Sequence, residues 1–362
     1  MTTMAIVCPP RGQFSPAKAG AIELDIYDAV VHSQFRDQIV VIGRETDAPF
    51  SDVPFRPVPA AGGANQYPRH VIRALRDINP GFIEARQHMK TCSAIAHAFP
   101  NTPNMLFRHS HTKTPKGPIQ RWWRTRQYAG FDKIAIVSEF ARSRFAHDFP
   151  QLADRTYVAY NGIDSHIYHA KDQKKEQLIL FAARLIPNKG SLEFVEAMHQ
   201  VLAERPDWKA EVIGATNPSF TDFNTQLHEA IERTPNLRFS GYKPFEETMT
   251  AFARAAIVVV PSIWEETFGR TAMEANAYGA ALVSSGRGGL KEVSGDTALY
   301  IEEVSAKTIS TSVLQLIDDP AMRTDLQKRG RERTESLFDI RRTVAVIDEA
   351  RAEVLRKSEK NV

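Results

Sequence analysis

Two successive series of short apolar runs, each separated by amphipathic stretches, run through this sequence, and few folds accommodate such a pattern. The first series has apolar runs at 4–8, 38–42, 81–84, 105–108 and 133–138, with helix-like stretches at 21–33, 69–77 and 92–98. Runs this short and this continuously apolar read as strands covered on both faces. Alternation of such strands with helices implies a parallel sheet sandwiched between helical layers. Asn161-Gly162 then marks a turn, and 164–175 is polar and short of apolar side chains. Beyond it the pattern restarts, with strands predicted at 178–182, 208–213, 237–239, 256–260 and 281–284. Helices are predicted there at 192–203, 221–233, 245–255, 270–277 and 306–316.

The fold class is therefore α/β, with two Rossmann-like, doubly wound parallel-sheet domains facing a central cleft. The expected boundaries are an N-terminal domain at 1–165, a linker at 166–176 and a C-terminal domain at 177–340. The final stretch, 341–362, contains a helix at 343–357 with no strand after it, and is expected to pack across the domains. A chain of 362 residues is long enough for two cores. Sheets of this kind bind ligands beyond the carboxyl ends of their strands.

Composition bounds the function. At 43% hydrophobic and 25% charged residues the chain is an ordinary packed protein. Its net charge of +3 makes no demand for nucleic acid. The charge is uneven, however. Residues 1–168 carry 20 Lys+Arg against 14 Asp+Glu, a balance of +6. A basic first half suits an anionic acceptor or an anionic membrane surface, or is ordinary scatter. Cys8 and Cys92 have neither zinc-site spacing nor a disulfide framework, and Cys8 reads as a core thiol. No segment approaches the ~20 apolar residues that span a bilayer, and the N-terminus lacks the features of a signal peptide. The expected location is cytoplasmic, with peripheral contact at the inner face of the cytoplasmic membrane. No Asp-x-Asp or HExxH element is present, so no metal site and no cofactor is expected.

Two segments of the second half carry chemistry. In Glu266-Thr-Phe-Gly-Arg-Thr-Ala-Met-Glu274 a tight Phe268-Gly269 loop feeds a helix from about Arg270. Backbone N–H groups at such a start, here those of Gly269, Arg270 and Thr271, suit a phosphate. Glu266 could accept hydrogen bonds from sugar hydroxyls and Glu274 from a ribose; alternatively Glu266 caps the helix and Glu274 is solvated. In Phe181-Ala-Ala-Arg184-Leu-Ile-Pro-Asn-Lys189-Gly190 a strand delivers two cations to one edge, matching a diphosphate, unless the loop is merely solvated. In the first half, Arg121-Trp122-Trp123-Arg124-Thr-Arg126 interleaves bases with indoles. It reads as a lipid-interface segment with Lys113 and Lys116, or as a helix burying one Trp in the core.

These elements, in this order, resemble the family 4 glycosyltransferases of the two-Rossmann-domain, retaining class. The strand–Arg184–loop–Lys189–Gly190 element resembles their diphosphate site. Glu266 and Glu274 match the two glutamates of their signature, and Gly288-Gly289-Leu-Lys-Glu292-Val resembles the glycine turn that follows. Asn161-Gly162-Ile-Asp164 is similar to their linker entry, and Val137-Ser-Glu-Phe-Ala-Arg to the strand and helix start before it. The resemblance covers nearly the whole chain and is strongest from 133 to about 300. It implies a retaining, metal-independent transfer of a sugar from a nucleotide diphosphate sugar to a saccharide or lipid-linked acceptor, as in bacterial polysaccharide or lipopolysaccharide synthesis. It implies catalytic roles for His109, Glu266, Arg184 and Lys189. The donor would be held by Gly20, Arg184, Lys189, Gly241, Tyr242, Glu266, Phe268, Gly269, Arg270, Thr271 and Glu274. His111 is a rival to His109, and either could instead be structural. Phe82-Ile83-Glu84-Ala85-Arg86-Gln87 resembles the acceptor-side segment, which makes Glu84, Arg86, His111 and Lys113 acceptor candidates. Two departures stand out. Ala19 replaces the first glycine of the family's pair, leaving Gly20, and Ala85 stands where a histidine is common.

Two other functional classes fit the same fold. A sugar-nucleotide 2-epimerase would need further carboxylates near the reacting carbon and no acceptor segment. A non-catalytic, lectin-like protein would have no need to keep Arg184, Lys189 and Glu266 together.

Overall fold

A computed structural model of the chain describes residues 3–59, 63–164 and 174–359. It divides into two compact units, Met1–Gly162 with Ile340–Val362, and Ile163–Asp339.

The first unit is built on β1 (Met4–Val7), β2 (Ile39–Arg44), β3 (Phe55–Val58), β4 (Phe82–Arg86), β5 (Asn104–Arg108), β6 (Lys133–Ile136) and β7 (Thr156–Val158). Their order in the sheet is β3-β2-β1-β4-β5-β6-β7, and every pairing is parallel. Helices α1 (Ala21–Val31), α2 (Gly63–Ile78), α3 (Met89–Ala98), α4 (Pro118–Ala129) and α5 (Glu139–Asp148) cover it. One core lies on each face. Val7, Ile83, Leu106 and Ile134 belong to one; Ile6, Val41, Phe82 and Met105 belong to the other. Because neighbouring residues of a strand point to opposite faces, a strand with a core on both sides must be apolar throughout, which explains the continuous runs. The local start signals follow ordinary chemistry: Ser138 Oγ accepts the Ala141 N–H at 3.0 Å to cap α5, and Pro118 opens α4.

Strand β4 departs from this rule, since Glu84 and Arg86 are polar and fully buried. The last helix, Ile340–Glu359, resolves the problem. It returns to the first unit, where Ala350 and Val354 pack in the core with Met4, Ile6 and Val30. Between them Arg351 reaches Glu84 Oε2 with Nε at 2.9 Å and Nη2 at 2.8 Å. Arg86 Nη2 meets the other carboxylate oxygen at 2.5 Å. Asp348 binds Arg351 Nη1 at 2.9 Å, Ser33 Oγ at 2.7 Å and the Gln34 N–H at 2.8 Å. These ionic contacts, and the apolar contacts of Ala350 and Val354, lie within the first unit.

The second unit repeats the plan with β8 (Glu176–Ala182), β9 (Lys209–Ile213), β10 (Leu237–Gly241), β11 (Ala255–Val260), β12 (Ala281–Ser284) and β13 (Ala298–Tyr300). The order is β10-β9-β8-β11-β12-β13, again all parallel. Strand β8 begins inside the stretch expected as linker, and 165–173 lies outside the described residues. Both sheets are thus the doubly wound parallel sheets that the sequence predicts. In each, the strand order reverses once, between β1 and β4 and between β8 and β11. Neighbouring loops part at such a point and leave a crevice at the carboxyl edge.

The ion network yields a test. Burial pushes the Glu84 carboxyl up, but the charges and hydrogen bonds of Arg351 and Arg86 outweigh this and hold it below its ordinary value of 4.5. A depressed pKa stabilises the fold above the unfolded value, and that contribution is lost as pH falls through the folded one. Glu84→Gln removes the carboxylate that two buried guanidinium groups share, leaving Arg351 with Asp348 alone and Arg86 with Asp25 alone, and should destabilise the protein by about 3–5 kcal/mol at pH 7. Denaturant titrations of both proteins should show the gap narrowing below pH 4.5. A gap independent of pH would mean that Glu84 is not ionised in the fold.

Candidate functional site

The crevice at the β8/β11 reversal holds a cavity of about 140 Å³, lined by residues that include Ala182, Val260, Lys189, Glu266, Arg270 and Thr271. Two loops make it. The loop after β8 runs through Pro187–Lys189 to Gly190, which starts the helix Ser191–Glu204. Gly190 has φ +70°, and a Cβ there would lie 2.2 Å from the Pro261 carbonyl oxygen, so only glycine lets this loop pass beneath the end of β11. The Ile263 N–H donates to the Asn188 carbonyl at 2.9 Å and ties the second loop to the first. The second loop is in turn pinned to 287–289: Gly289 N–H donates to Glu266 O at 2.8 Å, and Glu266 N–H to Arg287 O at 3.3 Å.

This backbone brings three donors onto one carboxylate oxygen. Glu266 Oε1 accepts from Lys189 Nζ at 2.5 Å, Ser262 Oγ at 2.5 Å and Trp264 Nε1 at 3.0 Å. Burial pushes the Glu266 carboxyl up, but the Lys189 charge and these hydrogen bonds prevail and hold it below its ordinary range. The group is therefore a carboxylate, with Lys189 held over the Trp264 ring at 5.5 Å from its centroid.

The helix Arg270–Ala277 starts beside it at Gly269, which has φ +116° and supplies no side-chain cap. Its first turn thus directs N–H groups and the positive dipole end into the cavity, an arrangement suited to an anion. Glu274, one turn on, is buried, accepts from Arg270 Nε at 2.9 Å, and has its carboxyl pushed up by burial against the opposing pull of Arg270.

Of the expected donor residues, Lys189, Glu266, Gly269, Arg270 and Thr271 line this cavity. Arg184 is exposed at the end of β8 and is not among the lining residues. Gly241, at φ +64°, ends β10, and Tyr242 beyond it is 73% exposed. The Phe268 ring is not available for binding, because it is buried and packs edge-on against Phe338, with centroids 5.5 Å apart. Gly20 lies in the other unit, where its N–H is taken by Glu23 Oε2 at 3.1 Å. Ser262 and Trp264 escaped the sequence reading; their only signal was nearness in sequence to Glu266.

At the β1/β4 reversal the first unit has its own cavity, of about 1190 Å³. His111 and Lys113 line it, as do Gly20 and Trp123. Glu84 and Arg86, expected on the acceptor side, do not reach it. They are interior members of the ion network above, which corrects that assignment. His109 stands beside the network, its Nε2 3.4 Å from Arg86 Nη1 and 3.9 Å from Asp25 Oδ2, with its ring stacked on Phe107. Neither indole of α4 is in the core: Trp122 is 61% and Trp123 54% exposed, and Tyr128 is the buried residue of α4.

Two family models together match residues 29–333: Glycosyltransferase Family 4 over 29–166, and Glycosyl transferases group 1 over 165–333. The chain belongs to the family 4, group 1 glycosyltransferases. It is 26% identical over 229 residues to a D-inositol 3-phosphate glycosyltransferase of Corynebacterium glutamicum, covering 58% of this chain and 54% of that protein. A GDP-mannose-dependent monoacylated alpha-(1-6)-phosphatidylinositol monomannoside mannosyltransferase of C. glutamicum is 28% identical over 161 residues, covering 42% and 41%. The chain spans about half the length of the curated relatives it matches. Among solved structures, Anabaena HepE in complex with UDP and glucose superposes with TM-score 0.76 at 18% identity, covering 99% of this chain and 100% of that one. Sucrose-phosphate synthase from Thermosynechococcus elongatus gives 0.77 at 16%, with the same coverage. At these identities the likeness is one of fold. The group 1 match contains Arg184, Lys189, Glu266 and Glu274, so the cavity of the second unit lies wholly within it.

Proposed function

We propose that this chain transfers a sugar from a uridine- or guanosine-diphosphate sugar to a saccharide or lipid-linked acceptor, with retention and without a metal, in bacterial cell-surface polysaccharide or lipopolysaccharide synthesis. The observation that carries the reading is the convergence of Lys189, Ser262 and Trp264 on Glu266, beside an uncapped helix start, at the β8/β11 reversal. The Anabaena neighbour, solved with UDP and glucose, supports a nucleotide-sugar donor.

An ammonium has three donors, so Lys189 can hold Glu266 and a phosphate oxygen together. Arg184 at the same strand edge adds a second cation, and the first turn of Arg270–Ala277 adds N–H groups. Together they stabilise the charge that gathers on the leaving diphosphate, the work a divalent ion does elsewhere. The base stacks near Gly241 and Tyr242, and Glu274 binds the ribose. Glu266 accepts from sugar hydroxyls. As a carboxylate already engaged by three donors it is a poor covalent nucleophile, so the acceptor oxygen attacks from the side the diphosphate leaves. The acceptor oxygen–anomeric carbon bond forms as the anomeric carbon–phosphate oxygen bond breaks, and the acceptor proton passes to that phosphate oxygen.

The exposed face of α4 supports contact with the cytoplasmic side of an anionic membrane. Ile119, Trp122 and Trp123 are 83%, 61% and 54% exposed beside Arg121, Arg126 and Lys116. Among the described residues no helix is long and apolar enough to cross a membrane.

Three outcomes follow. Glu274→Gln should weaken nucleoside diphosphate and donor alike and raise KM, whereas Glu266→Gln should keep nucleoside diphosphate affinity and lower kcat by roughly tenfold to a thousandfold. Calorimetric titration beside transfer kinetics measures both, and the reverse pattern means the two roles are exchanged. Turnover should survive excess EDTA; loss restored by manganese or magnesium overturns the metal-independent reading. Cosedimentation with phosphatidylglycerol vesicles should weaken as salt rises, because screening shortens to ~10 Å at 0.1 M. No cosedimentation at low salt removes the membrane contact.

A further inference from the structure

The cavity of the first unit is strongly one-signed. Six cations line it, Arg11, Lys18, Lys90, Arg108, Lys113 and Arg124, against one carboxylate, Glu23. Glu23 is spent on the protein itself, since it accepts the Gly20 N–H at the start of α1. The start of α3 also opens into the cavity: His88, its N-cap, makes no side-chain cap bond, and Met89, Lys90 and Ser93 are among the lining residues. The His88 imidazole is held below its ordinary value by burial and by the charges of Lys90 and Arg11.

One lining residue turns this field into a site. Arg108, at the end of β5, is only 7% exposed. Its Nη1 donates to the Gln87 carbonyl at 2.5 Å, while its Nε has no hydrogen-bond partner among the described residues. The contrast with Arg86 and Arg351 is chemical: those buried guanidinium groups share Glu84, and no described carboxylate pairs with Arg108. A buried guanidinium that lines the cavity without a carboxylate partner carries a desolvation cost that an oxyanion there would offset. The planar fork suits phosphate oxygens, and 1190 Å³ leaves ample room for a sugar ring around the anion.

The geometry points to a phosphate-bearing acceptor, whose phosphate is anchored by Arg108 within the ring of cations at the β1/β4 reversal. This rests on the transferase reading and names the acceptor's chemical class. The phosphate belongs either to a soluble phosphoester or to a lipid headgroup, whose chain would lie along Trp123 and the exposed face of α4.

The full chain is titrated with inorganic phosphate by calorimetry, and separately with vesicles of phosphatidylcholine with or without phosphatidic acid. With UDP present to occupy the second-unit cavity, wild type should bind inorganic phosphate, Arg108→Gln should bind it at least about tenfold more weakly, Arg108→Lys should recover part of the loss, and Lys328→Gln, an exposed position that lines neither cavity, should leave it unchanged. If Arg108→Gln fails to fold, the double variant Arg11→Gln/Lys113→Gln, both exposed positions, should still weaken binding several-fold. Binding of inorganic phosphate identifies the soluble source. Binding of phosphatidic acid vesicles alone, lost in Arg108→Gln, identifies the lipid source. No phosphate-dependent binding in either arm, or equal binding by wild type and Arg108→Gln, overturns the proposal. A parallel UDP titration separates this from the transferase reading: that reading fails if wild type binds no nucleoside diphosphate, whatever phosphate does in the first unit.

Discussion

In an all-parallel sheet every strand ends at the same edge, and where the strand order reverses the loops on either side diverge. This constraint governs both units of the chain. At β8/β11 the loops after Ala182 and Val260 separate, and Lys189 enters from one while Glu266 enters from the other. At β1/β4 the separation is wider and is lined by cations. Neither crevice depends on a special sequence motif for its existence. The motifs decide only what each one holds: a loop leading into a helix start in the second unit, and a cation-lined wall in the first.

Glu84 and Glu266 show how surroundings divide one chemistry into two roles. Both carboxyls are held below their ordinary range against the pull of burial. Glu84 is clasped between two guanidinium groups with no path to solvent, and ties the last helix to the first sheet. Glu266 is met by an ammonium, a hydroxyl and an indole at the mouth of a cavity, so its remaining lone pairs face a space where a ligand can lie. A buried ion pair adds little net stability relative to apolar packing, but removing one partner is costly, so the Glu84 network sets how the chain end returns more than how firmly the fold holds.

Much of the architecture was legible because a strand buried on both faces must be apolar along its length. Strands at 4–8, 105–108, 178–182 and 256–260 announced themselves in this way. Strands β3, β7 and β13 did not, since only partial burial is asked of most of their positions. The helix Pro320–Leu337 was also missed, because just three of its residues, Leu326, Gly330 and Thr334, are buried and no apolar stripe marks it. It is instead set by a cap, with Asp319 Oδ1 accepting the Met322 N–H at 2.8 Å.

By itself the sequence determined two parallel sheets, the break between them, and the two separate loops that carry Lys189 and Glu266, because these follow from local periodicity and from motifs contiguous in the chain. Only the tertiary structure decided that Arg351 reaches back 267 residues to bury its charge against Glu84, that Arg184 stays in solvent while Ser262 and Trp264 serve Glu266, and that Arg108 stands buried without a carboxylate. Whether a charged side chain is paired, solvated or idle depends on what packs against it from distant elements, and local sequence carries no record of those neighbours.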